Sequence, residues 1–325
     1  MKKIYPFEVV TAATIIICVI TGFSSAIPII PFRPWSINHF TFYLSKIFLF
    51  IIIILTLKGI YLKLIKKNDQ ENLLTKKIIW ENFFLTLRFL ICLELIFTSY
   101  TTIKQAIPFI NPNIYDQQLL IIDRFIHFGI FPSTFIAETA NLKIFNKLLD
   151  KLYFLWFPTK ILVLSFFIIH TSKIKKQLFL SSYFMIWVIG VFLGLALPSI
   201  GPFALEQVAL PAPGMDFSFA TQKILSYIYE AKKPITANGN GNMFFGYGLM
   251  AFPSLHVTAC ILFFYFLKDE NEILKYSSLI FLILIFLGSL YSGWHYAVDG
   301  YAGILIVFIS VTISKYLVYS KKFKI

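Results

Sequence analysis

Residues 276–319 read YSSLIFLILIFLGSLYSGWHYAVDGYAGILIVFISVTISKYLVY. Two apolar runs, 276–294 and 297–319, stand on either side of a short turn that holds His295, with Asp299 at the entry to the second run. Each run has the length of about 18 residues or more that crossing a hydrocarbon core requires. Neither an imidazole nor a carboxylate belongs in lipid, so the turn is expected to lie at a membrane surface, between two helices. That reading sets the fold class, and the rest of the chain repeats the pattern.

Of the 325 residues, 58% are hydrophobic and 14% are charged, and the mean hydropathy is +0.76. A soluble domain of this size does not have such a composition. Eight spans are expected, at about 7–30, 40–62, 80–103, 150–170, 178–197, 250–267, 276–294 and 297–319. The class is an all-α polytopic membrane protein. A two-helix N-terminal region (1–79) precedes a membrane core (80–325).

The formal net charge of +13 does not point to nucleic acid. Its lysines cluster in short segments between apolar runs, such as Lys173, Lys175 and Lys176, or Lys268 and Lys275. By the positive-inside rule these segments, with both termini, are expected in the cytoplasm. A bacterial inner membrane is the expected location, and the bilayer is the expected partner. Cys18, Cys92 and Cys260 all sit inside apolar runs without ligand spacing, and read as small core residues. The N-terminal MKKIYPFEVVTAATIIICVITGFSSA resembles a signal peptide, but Pro6, Glu8 and the length of the run favour an uncleaved first span.

Two long connections, 104–149 and 198–249, fall on the extracytoplasmic side. The first contains YDQQLLIIDRFIHFG, which reads as an amphipathic interfacial helix. The second, rich in Pro and Gly, reads as an irregular loop and a candidate lid.

His256, in AFPSLHVTAC, is one helical hairpin upstream of His295. Helices rise about 1.5 Å per residue, so each arm covers about 30 Å and both histidines return to the same surface. Asp299 follows His295 at i+4, where a carboxylate can accept a hydrogen bond from the ring and leave the opposite nitrogen with its lone pair. Such an imidazole is a nucleophile or a base. Ionisable residues that converge at span ends point to function, whereas His39, His127 and His170 read as interfacial residues. Zinc is the competing chemistry, but no fourth ligand and no HExxH pattern accompany the set, so neither metal nor cofactor is expected. A transporter or lipid-binding scaffold is the competing class, and it would show repeats or broken helices at mid-membrane. Arg88 and Glu94 lie within the third span, six residues apart, and are expected to face structural partners across helices.

At these residues the chain resembles the type-2 phosphatidic acid phosphatase superfamily of lipid phosphatases and phosphotransferases. AFPSLHVTA is similar to the family's Pro-Ser-x-His motif, and GWHYAVDGYAG to its His-x-x-x-Asp motif. PSLH with WHYxxDxxAG, together with DQQLLIIDRFIHFGIFP and LPSIGPF, resembles the inositol-phosphorylceramide synthase branch over about 115–315. The resemblance implies a six-helix phosphatase-like core and a phosphohistidine mechanism on a lipid phosphate at the extracytoplasmic face. In it His295 attacks phosphorus, Asp299 orients it, and His256 handles the proton of the leaving and incoming oxygens. The acceptor is water in a phosphatase and an alcohol in a transferase. The family's Arg six residues before the second histidine is Ser289 here, and LPSIGPF carries no cation. Phosphoryl transfer needs countercharge. Candidates for it are Lys223, Lys232, Lys233 and Arg124, with Ser254 and the Gly201-Pro202 turn as further phosphate contacts.

Overall fold

A computed structural model describes residues 4–25, 41–53, 76–139, 149, 151–170, 172–205 and 250–320. Lys223, Lys232, Lys233, His39 and most of the 198–249 loop lie outside the described residues. Among the described residues all regular elements are helical. The chain is an all-α polytopic membrane protein.

The helices are α1 (Pro6–Ser25), α2 (Thr41–Ile53), α3 (Lys76–Ile110), α4 (Asp116–Ile126), α5 (Pro132–Thr139), α6 (Trp156–Ile168), α7 (Lys173–Ala196), α8 (Leu255–Leu267), α9 (Glu272–Tyr291) and α10 (Ala297–Tyr319). A helical turn begins α6 early, so that its apolar segment runs Lys151–Ile168. Five helices are long and apolar enough to cross a membrane: Trp80–Ile110, Lys151–Ile168, Lys173–Ala196, Glu272–Tyr291 and Ala297–Tyr319. Three shorter apolar helices, Pro6–Gly22, Thr41–Ile53 and Leu255–Leu267, coincide with the other three expected spans.

Starts are set by local chemistry. Ser172 caps α7 by accepting from Lys175 N (3.2 Å), and Asn271 caps α9 by accepting from Leu274 N (2.8 Å). Between them, Glu270 accepts from His170 and pairs with Lys175. Burial pushes the Glu270 carboxyl up, but the bonds from Lys175 and His170 outweigh it and hold the group below its ordinary value. The start of α7 is thereby pinned to the α8–α9 turn, at the end of the bundle away from His256.

One apolar core joins α1, α2, α3, α6, α7, α8, α9 and α10. Phe7 of α1 meets Phe89 of α3 and Phe184 of α7 edge-on at 5.9 Å, so the N-terminal helices share the core of the motif-bearing ones. Helices α8 and α10 approach closely because small residues line their contact. A Cβ on Gly303 would stand 2.7 Å from Thr258 Oγ1. This approach draws the N-termini of α8 and α10 together.

Arg88 does find a partner across helices. Its Nε and Nη2 donate to the two carboxylate oxygens of Glu8 at 2.7 and 2.6 Å, and the guanidinium lies 4.5 Å from the Tyr5 ring. This fork-to-fork pair ties α3 to α1. Glu94 is also buried, within the field of Tyr43 of α2. An ion stripped of its partner in apolar surroundings is destabilising. Because the pair is only part-buried, Arg88→Leu is expected to cost about 1 kcal/mol of stability. The double variant Glu8→Leu/Arg88→Leu is expected to recover most of it, as read by thermal unfolding in detergent.

Candidate active site

The site forms where α8 and α10 begin. Four pieces of chain meet there: the loop 198–203, the segment 250–254, the turn 292–296 and helix α4.

Helix α4 sets the frame. Its buried face is Asp116, Leu119, Leu120 and Asp123, at i, i+3, i+4 and i+7. Its outward face carries Ile121, Ile122 and Phe125, all exposed. The helix is therefore amphipathic, as YDQQLLIIDRFIHFG suggests, with its acids turned inward and its apolar side outward. Asp116 accepts from Ile200 N and Gly201 N, both at 2.8 Å, and from the Tyr296 hydroxyl at 2.9 Å. Asp123 accepts from Ala297 N (3.2 Å) and Val298 N (2.9 Å), the open amides at the start of α10. Burial pushes the Tyr296 phenol well up, and the neighbouring Asp116 carboxylate adds to the effect, so this hydroxyl stays a donor. Burial likewise pushes the Asp123 carboxyl up, opposed by the N–H bonds from Val298 and Ala297.

The loop extends the frame. Ser199 receives Ala251 N on its carbonyl (2.9 Å) and Phe252 N on its hydroxyl (2.8 Å). Phe203 N donates to Gly293 O at 3.0 Å. Gly201 has φ +116°, and a Cβ there would lie 2.6 Å from Trp294 O. Only glycine fits both the left-handed backbone and that approach.

Within this frame His295 is buried, and its Nδ1 lies 2.7 Å from Ala251 O and 3.2 Å from Asp299 Oδ2. A carbonyl oxygen only accepts, so Nδ1 carries the proton and Nε2 of the neutral ring holds a lone pair. Asp299, with no exposed surface, also accepts from Tyr296 N at 2.9 Å, the reach of an N3 carboxylate to its N-cap amide. Its Oδ1 has no hydrogen-bond partner.

His256 occupies the second position of α8. Its Nδ1 lies 2.7 Å from the Tyr153 hydroxyl, and the rings of Tyr153, Trp156 and Phe157 stand edge-on around it at 5.5, 4.3 and 6.3 Å. The ring lies within electrostatic reach of His295, Lys160 and Lys104. Ser254, just before it, is buried; its N–H donates to Asp299 O at 3.2 Å and its hydroxyl has no hydrogen-bond partner.

The structure thus brings His295, Asp299, His256 and Ser254 together, beside Gly201 and Pro202. Arg124 lies on the exposed side of α4. Ser289 is buried and bonded within its helix to Phe286 O at 2.7 Å. Asp116, Asp123, Tyr153, Lys104 and Lys160 are absent from the sequence reading. The aspartates carried a usable signal, since they share the i, i+3, i+4, i+7 face with Leu119 and Leu120. Tyr153, Trp156 and Phe157 carried none, among 37 Phe and 17 Tyr.

A family model, described as the PAP2 superfamily, matches residues 117–313. The chain belongs to the PAP2 superfamily. No curated protein and no solved structure gives a significant match. The matched span takes in His256, His295, Asp299 and the aromatic residues around His256. Membership supports a lipid phosphatase or phosphotransferase type of activity on a lipid phosphate in the membrane.

Gly201→Ala in this PAP2 protein is expected to push the Trp294–His295 backbone out of place. A lipid phosphate assay should show at least a roughly 100-fold loss of turnover, with a stability cost of about 1–3 kcal/mol. Asp116→Asn, which turns an amide donor toward backbone N–H groups, is expected to lower the unfolding temperature and turnover together.

Proposed function

We propose that the protein is an integral-membrane phosphotransferase of the inositolphosphotransferase-like kind, acting on a lipid-linked phosphate through a phosphohistidine. The observation that carries this reading is the tautomer of His295. Nδ1 is held as a donor by Ala251 O and Asp299, which leaves Nε2 nucleophilic, with a second imidazole beside it.

In the proposed reaction His295 Nε2 attacks phosphorus. The bond from phosphorus to the leaving oxygen breaks as His256 gives that oxygen a proton. The phosphorylated ring is cationic, and Asp299 balances its charge. His256 then takes the proton of an incoming hydroxyl, whose oxygen attacks phosphorus as the P–N bond breaks. An alcohol acceptor completes a transfer, and water completes a hydrolysis.

Countercharge is proposed to come from Lys104 and Lys160, lysines within electrostatic reach of His256, with Ser254 contributing its unpartnered hydroxyl. Gly201 and Pro202 play a shaping part in this scheme, because the Gly201 amide already donates to Asp116 and proline has no N–H. Lys233 is retained as a phosphate contact from the loop outside the described residues. The extracytoplasmic face is proposed from charge: the opposite end of the bundle carries Lys173, Lys175, Lys268 and Lys275.

Incubation with a lipid whose phosphate is radiolabelled should give an acid-labile labelled protein, and His295→Asn should give none. Label in that variant would overturn the phosphohistidine. Acceptors decide between the two outcomes. A transferase releases less free phosphate when its alcohol is added, and a hydrolase releases it undiminished. Chelation is expected to leave turnover unchanged; its loss would point to a metal.

A further inference from the structure

The two histidines have different partners. His295 is backed by a carbonyl and a carboxylate. His256 is backed by one neutral hydroxyl, that of Tyr153, at 2.7 Å. We propose that Tyr153 is a positioning residue that holds the His256 ring and serves its Nδ1 through both halves of the proton cycle. This rests on His256 being the acid and base of the reaction proposed above.

The chemistry of each partner matches the task of its ring. His295 must become a cation when it is phosphorylated, and a carboxylate favours that state. His256 must give up a proton and take one back within a single turnover. A carboxylate behind it would favour the charged ring and oppose the first of these steps. A phenol donates or accepts by rotating its O–H. When His256 is protonated, Nδ1–H donates to the Tyr153 oxygen and Nε2–H points to the leaving group. After transfer Nδ1 keeps its proton and the same bond, and Nε2 is left with the lone pair that the next hydroxyl needs. No proton moves through Tyr153 and no charge builds on it.

The placement of Tyr153 is over-determined. It is 3% exposed. Its ring meets Trp294, the neighbour of His295, edge-on at 4.8 Å. Helix α9 offers Gly288, where a Cβ would stand 3.2 Å from Leu149 O, 3.3 Å from Tyr153 Cβ and 3.4 Å from its ring. The tyrosine is therefore gripped by the same segment that carries His295, and it sets where His256 sits relative to the nucleophile. Trp156, one turn further along α6, closes the other side of the imidazole at 4.3 Å.

The test uses the full chain in lipid nanodiscs and two phosphate esters of the same acyl chain length. One has a poor alkoxide leaving group, and the other has p-nitrophenolate, which departs without a proton. For the alkyl ester Tyr153→Phe is expected to lower kcat about 10- to 100-fold, less than the 10²–10⁴-fold an acid–base group contributes, with KM within twofold. In a single turnover with the p-nitrophenyl ester the same variant is expected to stay within threefold of the native protein. An equal loss on both esters, or no loss on either, overturns the proposal. His256→Asn separates the two levels. If it keeps full turnover, the acid–base reading of His256 fails. If it is inactive while Tyr153→Phe is unchanged, only the role of Tyr153 fails.

Discussion

A buried carboxylate has to be bonded, and Asp116 satisfies that demand with three donors from two distant parts of the chain. Ile200 N, Gly201 N and the Tyr296 hydroxyl all reach it. Through these bonds the loop after α7 is fastened to the residue that follows His295. Asp123, two turns along the same helix, takes the open amides of α10. An ionised group that gives up water is costly unless such partners are in place. The same pair of acids therefore specifies one arrangement of loop, turn and helix start.

Everything nearer the chemistry hangs on that arrangement. Ser199 holds Ala251 and Phe252 because the loop is fixed, and Ala251 offers its carbonyl to His295 because that segment is fixed. The tautomer of His295 is thus a tertiary property. It depends on a carbonyl 44 residues away in sequence as much as on the carboxylate four residues on. The Gly201 backbone, pressed against Trp294 O, completes the circuit between loop and turn.

The PAP2 pattern departs here at its cations. By the motif resemblance Ser289 falls at the position of a family arginine, and it is buried and bonded within its own helix. On α6 the bundle holds Lys160, whose Nζ donates to Tyr43 OH at 2.5 Å and lies 4.4 Å from the Trp156 ring. A lysine so enclosed is stabilised by ring faces as well as by its hydroxyl partner. Trp156, 4.3 Å from the His256 ring, thus stands between the two side chains on α6 and α8.

The amino-acid sequence by itself determined the all-α membrane class, the eight apolar segments and the hairpin that brings His256 and His295 to one end. Hydrophobic run length and helical rise are local quantities, and local quantities can be read along a chain. The His295–Asp299 contact was legible for the same reason, as i and i+4 share a helical face. What only the tertiary structure decided is which polar groups meet across elements. Asp116 and Asp123 share a helical face with Leu119 and Leu120, which the sequence shows, but their partners are amides 84 and 174 residues away, which it does not. Tyr153 and Lys160 stood in a span that read as one more apolar run, and their side chains acquired partners only when α2, α6 and α8 packed together. Side-chain hydrogen bonds between helices depend on crossing geometry, and crossing geometry leaves no period in the sequence.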